Sequence, residues 1–84
     1  MTERARTKDE KFMIRLYEEA LKRPSIDDPL DRYYIGNLLG LHAKAVDTIC
    51  TLLGQANFIK KESKTEISIT PHGIKLVDSL RETK

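Results

Sequence analysis

Asp31-Arg32-Tyr33-Tyr34-Ile35-Gly36-Asn37-Leu38-Leu39-Gly40-Leu41-His42-Ala43 is the stretch on which the fold turns. Asp31 has the side chain of a helix N-cap, accepting from the free N–H groups of a first turn. Tyr34, Ile35, Leu38 and Leu39 then recur at helical spacing as the apolar members of a short helix. Gly40 closes it, because glycine takes the left-handed backbone that a tight turn needs. A longer helix starts near Ala43. Val46, Ile49, Leu53 and Ala56 form its inner stripe, with Ala45 and Leu52 at the flanks. Lys44, Asp47, Thr48, Thr51 and Gln55 point the other way, and Asn57 is a residue that tolerates the left-handed C-terminal position. His42 stands at the cap position of this helix, where Ser, Thr or Asp would be expected.

Beyond Asn57 the apolar period changes from 3.6 to 2. Residues 58–62 and 65–70 read as two strands around a turn at Ser63-Lys64, with Ile67 and Ile69 on one face and Glu66 and Ser68 on the other. Thr70 caps a last helix and Pro71 takes its first position, where a missing N–H costs nothing. Ile74, Val77 and Leu80 line that helix. Toward the N-terminus, Thr7 and Glu10 make a capping box. It opens a helix with Phe12, Met13, Leu16, Tyr17, Ala20 and Leu21 inward, ending near Lys22 or Arg23 ahead of Pro24. Residues 24–30, with two prolines, Ser25, Asp27 and Asp28, are turn chemistry. Residues 1–6 read as a basic arm carrying Arg4 and Arg6, and residues 7–84 as one domain.

With 84 residues the chain has room for one domain, and 39% apolar against 33% charged residues makes it globular. The single cysteine, Cys50, allows no internal disulfide and argues against a zinc site. The only histidines, His42 and His72, have no ligand or base beside them. Phosphate-binding glycine loops, nucleophile elbows and paired-histidine zinc motifs are all missing. With the small size, this argues against an enzyme, and no cofactor or metal is expected. No apolar run follows Met1 and none is long enough to cross a bilayer, so the expectation is a cytoplasmic protein away from the membrane.

The net charge of +2 is unevenly spread. Lysines and arginines gather before residue 24 and in the hairpin, whereas residues 24–56 hold only Arg32 and Lys44 against Asp27, Asp28, Asp31 and Asp47.

The order helix, short helix, glycine turn, helix, hairpin, helix carries a resemblance. The run from Ile35 to Leu41 looks like the second helix and turn of a bacterial winged helix–turn–helix. Val46, Ile49, Leu53 and Asn57-Phe58-Ile59-Lys60-Lys61 are similar to that family's third helix and its exit into the wing. Ile69-Thr70-Pro71-His72-Gly73 resembles its strand-to-helix junction. The match covers roughly residues 8–82 and is nearest to MarR-like regulators. The resemblance implies a mainly α fold: a three-helix core, a two-stranded wing and a C-terminal helix. It also implies a transcriptional regulator that puts its third helix in the major groove of duplex DNA. On that reading Thr48 and Thr51 reach base edges, Lys44 meets a phosphate or a guanine, Gln55 belongs to the same DNA-binding face, His42 meets a phosphate, and Lys60, Lys61 and Lys64 follow the backbone. Arg4 and Arg6 reach an adjacent groove.

The alternative is a protein-interaction module on the same scaffold, favoured by the acidic middle segment and by Tyr33 as a partner contact. RNA binding is a minor branch, since few aromatics are placed to stack on bases. The reading leans to a homodimer, through surplus apolar surface at Phe12, Met13 and Leu16 or at Leu76 and Val77.

Overall fold

The computed structural model describes residues 7–82. Its elements in chain order are α1 (Lys8–Ala20), β1 (Leu30–Asp31), α2 (Arg32–Leu38), α3 (Ala43–Gln55), β2 (Ile59–Lys61), β3 (Glu66–Ile69) and α4 (Pro71–Glu82). The fold is mainly helical with a small antiparallel sheet of order β1-β3-β2. Arg4 and Arg6 lie outside the described residues.

Local chemistry sets most boundaries. Thr7 Oγ1 accepts from the Glu10 N–H at 3.2 Å while the Thr7 N–H donates to Glu10 Oε1 at 3.0 Å, so the capping box is formed. Helix α1 stops at Ala20, with Leu21 as its C-cap, slightly earlier than the position of Pro24 suggests. Asp31 accepts from the Tyr33 N–H at 2.8 Å and opens α2. Gly40 (φ 74°) and Asn57 (φ 65°) take the left-handed turns after α2 and α3. Thr70 Oγ1 accepts from the Gly73 N–H at 3.0 Å and its hydroxyl donates to the Asn57 carbonyl, which ties the start of α4 to the end of α3.

The core is one cluster. Phe12, Met13 and Leu16 of α1, Ile35 of α2, Val46 of α3, Ile67 of β3 and Val77 of α4 form its centre, and Ala20, Leu30, Ile49, Cys50, Leu53, Ile59 and Ile69 complete it. Helix α2 meets α3 at Gly36, where an added Cβ would lie 2.2 Å from Val46 Cγ2. Only a glycine lets the two helices approach this closely.

The pairing register decides which way each strand residue faces. Leu30 pairs with Ile67, Lys61 with Ile67 and Ile59 with Ile69, whereas Lys60 pairs with Ser68 and Asp31 with Glu66. Directly paired residues share a face and successive residues alternate. Leu30, Ile59, Lys61, Ile67 and Ile69 therefore occupy the face packed on the helices, and Lys60, Glu62, Glu66, Ser68 and Asp31 the outer one.

Several expectations need correcting. The sheet has a third strand, β1, and both hairpin strands are shorter than residues 58–62 and 65–70. Ser68 is buried on the outer face, its hydroxyl donating to Glu62 Oε2 at 2.6 Å. On α2 Ile35 and Leu39 face the core as expected, but Tyr34 and Leu38 are exposed and Tyr33 is half-buried against the core instead. On α3 the exposed Ala56 leaves the inner stripe and the buried Cys50 joins it, while Leu52 is 54% exposed. Glu19, outside the inward set expected for α1, is nevertheless buried, paired with Arg15 and Lys22. Phe12, Met13, Leu16 and Val77 are fully enclosed, and Leu76 packs against the same cluster, so the apolar surplus expected to join two copies is already used within one chain.

Candidate functional site

Helix α3 presents Lys44, Thr48, Thr51 and Gln55 along one exposed face. The spacing of three and four residues puts these side chains in line. Thr48 and Thr51 do not offer free hydroxyl protons. Thr48 Oγ1 donates to the Lys44 carbonyl at 3.1 Å and Thr51 Oγ1 to the Asp47 carbonyl at 2.9 Å. Both are the back-bonded arrangement of threonine within a helix, which leaves lone pairs and methyl groups facing outward.

Asp47, the carboxylate on this face, is engaged. The Tyr33 hydroxyl donates to Asp47 Oδ1 at 2.6 Å, and Arg32 Nη2 lies 3.4 Å from the same oxygen. Arg32 Nη2 also donates to the Tyr33 hydroxyl at 3.2 Å, with its guanidinium over the Tyr33 ring at 5.1 Å. The Tyr33 hydrogen bond holds the Arg32 guanidinium above its ordinary pKa, against the opposing pull of burial. The three side chains fix the start of α2 to the middle of α3, and the negative charge of Asp47 meets a cation within the fold.

Arg32 is the residue that sequence reasoning missed. It follows the Asp31 cap, its N–H donates to the Thr65 carbonyl at 2.9 Å, and its side chain is only 15% exposed. No local pattern distinguishes it from a solvated first-turn arginine.

Lys60, Lys61 and Lys64, grouped by sequence as one basic strip, divide. All three are exposed, but Lys60 is on the outer face of the sheet, and Lys61 faces the helices beside Thr51 and Gln55. Lys64 is in the turn between the strands. The outer face around Lys60 carries Asp31, Glu62 and Glu66. His42 is exposed and is the N-cap of α3, but its side chain makes no cap hydrogen bond. His72, on α4, is stacked on Phe58 with ring centroids 4.9 Å apart.

Cys50 lies under this region. Burial pushes its thiol up to about 11, while the nearby Arg32 guanidinium pulls the other way and Asp47 adds to the rise. It is a protonated, poorly nucleophilic thiol at neutral pH. Among the described residues, no group of three or more His, Cys, Asp or Glu side chains is arranged to hold a metal ion. No helix among them is long and apolar enough to cross a membrane.

Compared with family models, with curated proteins and with solved structures, the chain matches none.

Proposed function

We propose that this chain is a winged helix–turn–helix module that binds duplex DNA, with α3 in the major groove and the β2–β3 hairpin along the phosphates. The reading is a cytoplasmic transcriptional regulator rather than a catalyst. The observation that carries it is the state of α3. Its outward face holds Lys44, Thr48, Thr51 and Gln55 in line and exposed. The carboxylate beside them is paired within the fold, with Arg32 against it and the Tyr33 hydroxyl donating to it. An unpaired aspartate there would repel phosphate; a paired one is tolerated. Back-bonded threonines suit the amino groups of cytosine or adenine and the methyl group of thymine. Helix α2 and the tight turn at Gly40 brace α3 from behind, and Lys61, beside Thr51 and Gln55, adds a cation where the end of α3 meets the hairpin.

The test is an amide chemical-shift titration of labelled protein with a mixed-sequence duplex, first at low salt. Shifts at Lys44, Thr48, Thr51, Gln55 and Lys61 that fade as salt is raised are expected. With about four phosphates neutralised, log affinity falls with log salt at a slope near −3.5. No shift at low salt removes the reading.

A second reading, a protein-docking module, is favoured by one observation. Tyr34 is 50% and Leu38 38% exposed, one turn apart on the outer side of α2. It replaces the sequence expectation of Tyr33 as the partner contact, since Tyr33 is committed to Asp47. Co-purification of a partner that is lost on Tyr34→Ala and Leu38→Ala, with no duplex binding, is its signature.

A further inference from the structure

Helix α1 and the turn between α2 and α3 border a shallow groove. It consists of two depressions of about 200 and 150 Å3, which adjoin because Lys11 and Leu39 line both. The floor is apolar. Ile14, Leu39 and Leu41 are half-buried, packed on the core from one side and open to the groove on the other. The rim is cationic. Lys8, Lys11 and Arg15 line it from α1, where spacings of three and four residues set them along one face.

The positive charge is concentrated at one end. Arg15 is engaged by Glu18 and Glu19, at 3.8 and 3.6 Å, and Glu18 lines the larger depression beside it. The smaller depression has Lys8 and Lys11 and no carboxylate among the described residues. Both lysines are exposed, and neither has an ion-pair partner among the described residues. Their acidic neighbours in sequence, Asp9 and Glu10, are taken up by the cap at Thr7.

We propose that this groove docks an acidic amphipathic helix of a partner protein. Two aliphatic side chains fill the depressions, and carboxylates on the same helix lie over Lys8 and Lys11. An apolar floor inside a charged rim is the anatomy of helix-in-groove recognition. From Lys8 to Arg15 α1 rises about 10 Å, or two turns. Anchors one or two turns apart on the incoming helix therefore meet both depressions. Charge selects the occupant. Residues 1–6 of this chain, with Arg4 and Arg6 against Glu3, have the wrong sign for the rim. A phosphate backbone matches the lysines but leaves Ile14, Leu39 and Leu41 uncovered. Tyr34 and Leu38 do not line the groove, and the proposal stands whether or not the chain binds DNA.

The test uses the full chain, isotope-labelled, and a synthetic peptide of about fourteen residues, long enough to hold a helix. It has leucines at i, i+4 and i+7 with glutamates beside them. Saturable amide shifts are expected at residues 8–15 and 39–41, weakened by salt. Changing the peptide's glutamates to glutamine, or its leucines to alanine, weakens binding by at least about tenfold. Lys8→Glu combined with Lys11→Glu has the same effect and transfers preference to a peptide with lysines in place of the glutamates. Both positions are exposed and near the start of α1, where glutamate suits the helix dipole, so this variant keeps its fold. The proposal is overturned if no saturable shift appears up to about 1 mM peptide, well above a micromolar Kd. Equal binding of the glutamine peptide overturns it, as does a charge-reversed variant that still prefers the acidic one. Shifts centred on Tyr34 and Leu38 place the docking elsewhere and overturn it too. Shifts at residues 8–15 and 39–41 on raising protein concentration alone, or with duplex DNA in place of peptide, assign the groove to a second copy or to nucleic acid instead.

Discussion

The Tyr33 hydroxyl donates to Asp47 Oδ1 across fourteen residues of sequence, at 2.6 Å, and so joins the first turn of α2 to the exposed face of α3. Arg32 touches both partners, which makes the three side chains one small network. Asp47 is 52% exposed, so the charges are well screened and the network is worth little as an ion pair. Its weight lies in fixing where the Asp47 charge sits.

Removing the phenolic oxygen tests this. Tyr33→Phe keeps the ring under Arg32 and loses both hydrogen bonds, so a loss of about 1 kcal/mol in urea unfolding is expected. Combined with Asp47→Ala, the double variant should lose less than the two single losses added together, by about 0.5 kcal/mol or more. Additive losses would show that the two side chains are in contact without being coupled.

That network marks the boundary of what was legible in the chain. Features decided by neighbours in sequence could be read: the Thr7–Glu10 box, the Asp31 cap, the left-handed turns at Gly40 and Asn57, and the Thr70 cap before Pro71. Strand β1 could not, because two residues have no period to detect. Tyr33 and Tyr34 were exchanged because α2 is only seven residues long. Over two turns, a rotation of one residue moves every side chain by about 100° and little else in the pattern objects. The placement of Arg32 arises from contacts between α2, α3 and the hairpin, and such contacts leave no local trace. The face of α3 was legible in part: Lys44, Thr48, Thr51 and Gln55 are exposed as expected, but the pairing of Asp47 was not foreseen.

Two glycines in neighbouring helices should respond oppositely to the same change. At Gly36 a methyl group would land 2.2 Å from Val46 Cγ2. Valine has little rotameric freedom in a helix, so α2 and α3 must separate, and Gly36→Ala is expected to cost about 1–3 kcal/mol despite alanine's better helix propensity. At Gly54 the methyl group enters open space, and Gly54→Ala should stabilise by about 0.5–1 kcal/mol. Thermal unfolding of both variants decides it. Loss at Gly54 would mean that the space beside it is tighter than its geometry indicates.

Cys50 makes stability depend on alkaline pH. Burial raises its thiol from 9.0 to about 11 in the folded chain, so the folded state binds this proton more tightly than the unfolded state does. The contribution is complete below pH 9 and declines as pH rises toward 11. The slope is steepest midway between the two values and stays below the ~1.4 kcal/mol per pH unit of a full proton. Cys50→Ala should flatten that part of the stability profile, measured by urea unfolding between pH 8 and about 10 so that most lysines keep their charge. At neutral pH the folded thiol should react with iodoacetamide at least about tenfold more slowly than the urea-unfolded chain. A profile unchanged by Cys50→Ala, or equal labelling rates, would show that the thiol is open to solvent.

Neighbouring lysines on one strand are expected to differ in the DNA reading. Lys61 shares its face of the sheet with Ile59 and Ile67 and adjoins Thr51 and Gln55, so it continues the surface that α3 presents. Lys60 is on the opposite face, which it shares with the carboxylates Glu62, Glu66 and, two strands away, Asp31. A phosphate approaching α3 meets Lys61 and passes Lys60 by. Lys61→Gln should weaken duplex binding and reduce the log–log salt slope by about 0.9, the value of one phosphate contact. Lys60→Gln should change the slope by less than half of that. Fluorescence anisotropy with one labelled duplex across a salt series measures both. Equal losses would mean that the duplex meets the hairpin edge-on, along both faces. If neither slope changed, the hairpin would not be on the phosphate backbone, and α3 alone would have to account for binding.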